Sequence, residues 1–341
     1  MPAYSIGVDL GGTNLRIAAI DEQGILLETI NLDTKVTLGR DHVVNDMCEA
    51  IERLAAKLRG ASSLLGIGIG VPGIIDLDTG MVRASPNLPD WADYPARAEI
   101  EKRLGTRVIL ENDANAAALG EKWLGAARDF DSMAVLTLGT GVGGGLVLDG
   151  RIWHGMSGMA NEFGHITVEP AGTRCGCGNR GCLEAYASAT AVVRMAREAI
   201  ASGSAPGLAD AAQMNGDFSA KVIYNLATQG DERAAQVFRT VGTMLGIALS
   251  DLVNALNLPI YVVGGGVSGA WEVFAPSMFE ELRKRSLVYA ATAPDSSGRS
   301  REGASAHVTP GGSSKTIITR ALLGSDAGLY GAARLPMIVE P

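Results

Sequence analysis

One pattern occurs twice in this 341-residue chain and constrains its fold more than any other feature. "GVDLGGTNLRIAAID" (Gly7–Asp21) and "LTLGTGVGGGLVLDG" (Leu136–Gly150) each read as an apolar strand, a glycine-rich turn and a second apolar strand. Around them strand and helix patterns alternate, which is the signature of an α/β fold. In the first half "ILLETI" adds a third strand and "DHVVNDMCEAIERLAAKLRG" a helix. "LLGIGIGVPG" and "RVILEND" are buried strands, and "ANAAALGEKWLG" is a helix closed by Gly125. In the second half Leu183 to Leu256 is mostly helical with a polar break near Ser202 to Gly216. "PIYVVGGGVSG" is a strand entering a glycine turn, with a helix behind it, and "KTIITRAL" and "DAGLYGAARL" are a last strand and a closing helix. Two similar lobes facing each other across a cleft explain the duplication. The expected division is a first lobe over residues 1–117, completed by the C-terminal helix 325–341, and a second lobe over 118–324. A polar Gly/Ser-rich insertion at 292–314 lacks an apolar face.

Bulk properties exclude several classes. The net charge is −8 and no Lys/Arg run appears, so no basic footprint for nucleic acid is present. "MPAYSIGVDL" reads as a strand rather than a signal peptide. The longest apolar region, Val241 to Val267, contains Asp251, Asn254, Asn257 and Pro259, so it is a helix followed by a strand and no membrane span. A cytoplasmic location with reduced thiols is the expectation.

The 44 glycines cluster in short runs, which points to tight turns where backbone approaches a ligand. Three stretches match GxGxxG, at Gly68–Gly73, Gly139–Gly144 and Gly264–Gly269. The first leads into "IIDLDTG" and the second into a strand. Only the third has a strand before and a helix after, so a nicotinamide enzyme is a poor reading. No GxxxxGK[ST] occurs, which removes a P-loop. A glycine turn can still aim successive backbone N–H groups at one anion, and "DLGGTN" adds Asp9, Thr13 and Asn14 beside its turn while "GTG" adds Thr140. Either hairpin alone is as well explained by glycines that simply permit the turn. Two such turns, with a third that could seat a base and ribose, favour ATP.

Three of the four cysteines lie within eight residues. His165, Cys175, Cys177 and Cys182 form H-x9-C-x-C-x4-C, a set that closes a tetrahedral zinc shell with no open position. A redox pair is disfavoured because the spacing is CxC rather than CxxC, and a disulfide leaves an odd cysteine. Core packing suits Cys48, on the apolar side of a helix, better than these three. Glu162 and His165 stand one helical turn apart. An imidazole bound to zinc by one nitrogen holds the other as a fixed donor, so carboxylate and N–H together suit a polyol. Glu184 follows Cys182 by two residues and is fixed by the same knuckle. Glu162 as a helix cap and Glu184 as a solvated side chain are the plainer alternatives.

"LENDANAAALGE" places Asn112 and Asp113 at the end of a buried strand entering a helix. Either can be the N-cap, but not both. A carboxylate at a strand end can also accept a proton from a substrate hydroxyl. Asn87, between two prolines in "SPNLPDW", is either a further polyol contact or an ordinary turn residue.

"DLGGTNLR", "GIGVPG", "NLPDW", "ENDANAAALGE", "LGTGVGGG", "EFGHITVEPAGTRCGCGNRGCLE" and "VVGGGVS", in this order from Asp9 to Ser268, resemble the ROK family of bacterial sugar kinases and sugar-responsive repressors. The zinc segment is highly specific, while the first motif is shared with actin-like ATPases. The resemblance implies an actin-like (ribonuclease H-like) two-lobed ATPase fold with a structural zinc knuckle over 161–184. It also implies ATP and Mg²⁺ in the cleft, phosphorylation of a hexose at its 6-hydroxyl with glucose favoured, and a homodimer. By resemblance Asp113 is the catalytic base, and Asn87, Asn112, Glu162, His165 and Glu184 are sugar ligands. Gly11, Gly12, Thr13, Asn14, Thr140 and Gly141 bind phosphate, Gly265 and Gly266 lie near the adenosine, and Asp9 sits near Mg²⁺ through water. His165, Cys175, Cys177 and Cys182 hold Zn²⁺. An N-acylhexosamine kinase, a fructokinase and a sugar-sensing regulator without turnover are the alternatives. The family's repressors carry an N-terminal helix-turn-helix; since this sequence opens on its first strand, none is expected here. Asn161 stands before Glu162 where kinases of the family often have glycine, so a different local backbone or sugar preference is expected.

Overall fold

The structure is a computed structural model that describes residues 3–60, 62–214, 216–294 and 315–338. The polar insertion expected at 292–314 lies outside them from residue 295 onward. The chain opens with strands β1 (Ala3–Leu10), β2 (Asn14–Asp21) and β3 (Leu26–Asp33), then helix α1 (Arg40–Leu58) and strand β4 (Ser63–Val71). A small hairpin of β5 (Ile74–Asp76) and β6 (Met81–Ala84) leads to α2 (Ala96–Leu104), β7 (Val108–Asn112) and α3 (Asp113–Trp123). The second glycine turn joins β8 (Met133–Leu138) to β9 (Val142–Leu148), which pairs with the short β10 (Arg151–Ile152). Helices α4 (Glu184–Ala187), α5 (Ala189–Ala201), α6 (Pro206–Met214), α7 (Ala220–Thr228) and α8 (Glu232–Leu256) follow. The described chain ends with β11 (Ile260–Gly264), α9 (Trp271–Arg285), α10 (Leu287–Thr292), β12 (Ile317–Arg320) and α11 (Ala327–Ile338).

One sheet has the order β3-β2-β1-β4-β7 and another β10-β9-β8-β11-β12. Counted by appearance within each sheet, both run third, second, first, fourth, fifth, so the duplicated hairpin is the start of a duplicated sheet. β1 is antiparallel to β2 and parallel to β4, and β4 is parallel to β7. β11 is parallel to both β8 and β12. Strands inside a sheet covered on both faces lose the alternating pattern. Accordingly Tyr4 through Val8 of β1 are all buried, whereas β3 at the sheet edge alternates exposed and half-buried residues.

The chain divides into two compact units: Met1–Asp131 with Gly145–Asn161 and Leu322–Pro341, and Ser132–Gly144 with Glu162–Ala321. The first unit therefore runs past residue 117 to Asp131, and α3 packs on α11. The backbones of these two helices touch: a Cβ on Gly331 would lie 1.6 Å from the Ala116 carbonyl oxygen, and one on Gly120 would lie 2.1 Å from that of Ala327. α11 presses on the first sheet in the same way, since a Cβ on Gly7 or Gly68 would lie 2.4 Å from the Leu329 oxygen or 2.0 Å from the Ala332 oxygen. Many glycines thus serve helix packing rather than ligand turns. In the second unit α8 starts at Asp231, whose side chain accepts from the N–H groups of Arg233 and Ala234 at 2.9 Å each, and it ends at Asn257 in the left-handed conformation. α6 lies inside the expected polar break. Leu208 is its one buried residue (0% exposed), preceded by the buried Ala205 just before the helix, and so short an apolar stripe does not register as a helix in the sequence.

Candidate active site

In the first unit the carboxyl ends of β1, β4 and β7 lie side by side, where open parallel sheets bind ligands. Asp9 on β1 is the register partner of Gly70 on β4, and Val71 is the partner of Asn112 on β7. Asn112 is the N-cap of α3: its Oδ1 accepts from the N–H groups of Ala114 (2.9 Å) and Asn115 (3.2 Å), and its Nδ2 donates to the Gly73 oxygen at 3.1 Å. The capping role thus falls to Asn112, and one amide hydrogen of its Nδ2 is not needed for these contacts. Asp113 is the first residue of the helix, and its Oδ1 accepts from the Ala114 N–H at 2.9 Å. Burial, the nearby Asp113 and Asp326 push the Asp9 carboxyl up to about 6, against the opposing pull of Arg16. Arg16 is held by the Asp326 carboxylate and by the Ser325 oxygen at 2.7 Å.

The first glycine turn is pinned from behind. Gly11 donates its N–H to the Asn14 oxygen at 2.9 Å, the Thr34 hydroxyl donates to the Gly11 oxygen at 2.6 Å, and the Thr34 N–H donates to the Thr13 oxygen at 2.8 Å. Thr13 and Asn14 are exposed. A Cβ on Gly12 would lie 3.1 Å from the Asn87 oxygen, so the turn and the "SPNLPDW" loop are in contact. That loop is anchored by Trp91, which is 1% exposed and meets Tyr94 edge-on at 5.3 Å.

The second unit gathers the other two glycine turns. Gly139 donates to the Gly141 oxygen at 2.9 Å, the Thr190 hydroxyl donates to the Thr140 oxygen at 2.8 Å, and the Ala189 N–H donates to the Gly139 oxygen at 2.8 Å. Gly265 has φ +79 and a Cβ there would lie 2.6 Å from Leu138 backbone, so only glycine fits where this turn crosses the end of β8. Gly266 has open space around it.

The cysteine segment folds beside these turns. The ligand atoms of His165, Cys175, Cys177 and Cys182 all lie within 4.8 Å of one another. The Cys177 and Cys182 sulfurs are 3.7 Å apart, as are the Cys175 sulfur and His165 Nδ1. A tetrahedron with Zn–S bonds of about 2.3 Å has edges of about 3.8 Å, so the spacing fits zinc. Burial pushes the Cys182 thiol up to about 12, with the neighbouring sulfurs adding to the rise, while the backbone N–H of Asn179 lowers Cys177. A dication at the centre would favour all three thiolates. Because Nδ1 faces the sulfurs, His165 Nε2 points away from them and lies 3.9 Å from Glu162 Oε2. Glu162 precedes a 3₁₀ turn (Phe163–His165) without bonding to it as a cap, which removes the plainer reading of this residue.

Glu184 joins the two features of this unit. Its Oε2 accepts from the Val142 N–H at 3.0 Å, at the end of the second glycine turn, and its Oε1 lies 3.8 Å from the Cys175 sulfur. A Cβ on Gly141 would lie 2.3 Å from the same carboxylate. Glu184 is therefore a buttress of the turn, not a solvated side chain.

Residues 5–336 match the ROK family. The chain belongs to that family. A glucokinase of Thermotoga maritima is 41% identical over 284 residues, covering 83% of this chain and 87% of that protein. A glucokinase of Halalkalibacterium halodurans is 36% identical over 334 residues, covering 97% and 94%. The crystal structure of a ROK family glucokinase from Streptomyces griseus in complex with glucose and AMPPNP matches with a TM-score of 0.77 and 34% identity, covering 97% of this chain and 98% of that one. A putative xylose repressor of Caldicellulosiruptor is 32% identical, covering 83% of this chain and 69% of the repressor. The fold is the two-sheet, actin-like ROK sugar kinase fold with a Cys₃His cluster. Among the described residues, no helix is long and apolar enough to cross a membrane.

Some residues that hold the candidate site residues of this ROK chain in place give little or no signal in the sequence. Glu111, 3% exposed, accepts from the Asn112 N–H (2.9 Å) and Asn115 Nδ2 (3.0 Å), and its other oxygen lies 2.7 Å from His154 Nε2. That carboxylate holds the His154 imidazole above its ordinary pKa, against the opposing effect of burial. The available signal was a carboxylate inside a buried strand, a residue type that is rarely buried without partners. Thr34, Arg16 and Asp326 gave no signal, because only the folded chain brings them to the turn and to Asp9.

Proposed function

We propose that this ROK protein is an ATP-dependent hexose kinase that phosphorylates the 6-hydroxyl of glucose. The observation that carries the reading is that Asp9 and Asp113, at the ends of the two strands that flank β4, lie close enough for Asp113 to raise the Asp9 carboxyl, beside a pinned glycine turn and Asn87. The names of the Thermotoga and Halalkalibacterium relatives support glucose as substrate, and the glucose and AMPPNP held by the Streptomyces griseus protein support a sugar and a nucleotide as the two ligands.

The Asp113 carboxylate accepts the proton of the 6-hydroxyl as that oxygen attacks the γ-phosphorus, and the bond to the β-phosphate oxygen breaks to release ADP. Asn87, Asn112, Glu162, His165 and Glu184 hold the sugar. Gly11, Gly12, Thr13, Asn14, Thr140 and Gly141 surround the phosphates, and Gly265 and Gly266 adjoin the adenosine. Asp9 suits a water-bridged Mg²⁺, since its carboxyl is crowded by Asp113 and Asp326; bound there, the ion supplies charge neutralisation for the phosphates. His165 Nδ1 and the thiolates of Cys175, Cys177 and Cys182 suit a closed, structural zinc. Held that way, His165 keeps Nε2–H as a fixed donor beside the Glu162 acceptor. A cytoplasmic homodimer completes the proposal, and light scattering tests the assembly.

The test is Asp113→Asn, assayed for ADP release across glucose, fructose, N-acetylglucosamine and N-acetylmannosamine. The amide keeps the Ala114 contact and loses the base. Turnover of the preferred sugar is expected to fall by about 10²–10⁴ with sugar affinity within about threefold. Turnover close to wild type would remove Asp113 from this role. Sugar binding without ADP release by the unaltered protein would favour the sensing reading that the repressor relatives suggest.

A further inference from the structure

Asn161 immediately precedes Glu162 and has φ +72. Among the described residues the other non-glycine residues with positive φ, Lys35, Asp93, Asp149 and Asn257, sit at φ 48 or 49. Asparagine is among the few side chains that tolerate this region, and here it is also tied down. Its Nδ2 donates to the Trp153 oxygen at 2.8 Å and to Asn115 Oδ1 at 3.1 Å, which uses both amide hydrogens. Asn115 is 2% exposed and donates to Glu111, whose other oxygen is engaged by His154. Glu111 also receives the N–H of Asn112, the residue before Asp113. One continuous chain of hydrogen bonds therefore runs from the residue next to the proposed base to the residue next to a proposed sugar ligand.

We infer that Asn161 is a positioning residue for sugar binding: its two side-chain hydrogen bonds, not its backbone shape alone, fix the direction in which the chain leaves for Glu162. The inference rests on the reading of Glu162 as a sugar ligand. Glu111 and Asn115 form the buried end of this network and the Asn161–Trp153 bond its surface end, and hydrogen-bonded networks specify one arrangement when every member is satisfied. Backbone freedom at residue 161 would spread Glu162 over several positions and weaken its contact with a sugar hydroxyl. The nucleotide turns are pinned by their own contacts, the first by Thr34 and the second by Thr190 and Glu184, so they should keep their shape when the Asn161 anchor is lost.

Three variants separate the side-chain anchor from the backbone conformation. Asn161→Gly keeps access to positive φ and removes the anchor. Asn161→Ala removes the anchor and strains the backbone. Asn161→Asp is close in shape but turns an acceptor toward the two oxygens that Nδ2 now serves. Sugar KM and kcat, ATP KM, and sugar Kd by calorimetry are measured for each, with unfolding temperature as the check on folding. Loss of the anchor in Asn161→Gly is expected to raise sugar KM and Kd about five- to tenfold, the scale of one or two lost hydrogen bonds. Asn161→Ala and Asn161→Asp are expected to raise them further, Asn161→Asp the most, with ATP KM within twofold of wild type in all three. Sugar Kd within twofold of wild type in Asn161→Gly and Asn161→Asp would overturn the inference, as would equal rises in ATP and sugar KM. Calorimetry keeps the two readings apart: a wild-type protein that binds sugar without turning it over refutes the kinase and still reports on Asn161. One that neither binds nor phosphorylates any sugar of the panel overturns both.

Discussion

Removing the Glu184 carboxylate should damage ATP use as well as sugar use. A residue that only held sugar would leave the nucleotide side alone. Glu184 instead accepts the Val142 N–H at 3.0 Å and lies against Gly141, so it braces the turn between β8 and β9. A hydrogen bond to a charged acceptor is worth about 1.5–3 kcal/mol net. In Glu184→Ala the Val142 N–H loses this acceptor and the space beside Gly141 opens. If the bond is lost fully in the ATP-bound state, kcat/KM for ATP falls roughly 10- to 150-fold. Glu184→Gln can still accept the same N–H, but as a neutral group at about half the strength, for a loss of about four- to thirteenfold. The assay is ADP release with ATP varied at saturating glucose, then glucose varied at saturating ATP. Glucose kcat/KM should fall in both variants, because Glu184 is also a proposed sugar ligand. The graded loss on the ATP axis, Ala worse than Gln, is the signature of the brace. If both variants lose glucose kcat/KM and keep ATP kcat/KM within twofold, the contact with Val142 does not matter to the turn and the reasoning fails.

Two further outcomes can be checked directly. Purified protein should carry about one zinc per chain by elemental analysis, and Cys182→Ser, at a fully buried ligand position, should lower both zinc content and unfolding temperature; full stability without metal would refute the knuckle. Asp9 has a folded pKa of about 6, raised above its unfolded value, so it contributes stability that is fully present below about pH 4 and lost as pH rises through 6. In metal-free protein the stability advantage of Asp9→Asn over wild type should therefore grow between pH 4 and about pH 7 in urea unfolding, and a pH-independent gap would refute the crowding of that carboxyl.

What could be read in the sequence was local, and what could not was the meeting of distant residues. The duplicated hairpin revealed the duplicated sheet because each strand–turn–strand is contiguous. The cysteine knuckle was readable for the same reason: its four ligands lie within eighteen residues. At "END" the sequence left two residues competing for one cap, and the structure assigns it to Asn112 by two N–H contacts. Glycines were the ambiguous case. Gly12 stands in a turn against Asn87, while Gly7 and Gly68 stand in strands under α11. All three look alike until the helix that packs on the strands is known. The network through Glu111 was out of reach, because it joins residues 43 and 46 positions apart. Yet its members were individually odd: a carboxylate in a buried strand, and an asparagine just before a proposed ligand. A buried acid needs partners, and an asparagine with positive φ needs a reason to stay there. Each oddity accounts for the other, since the carboxylate holds Asn115, and Asn115 holds Asn161. Local misfits that explain one another in this way are the trace that long-range structure leaves in a single sequence.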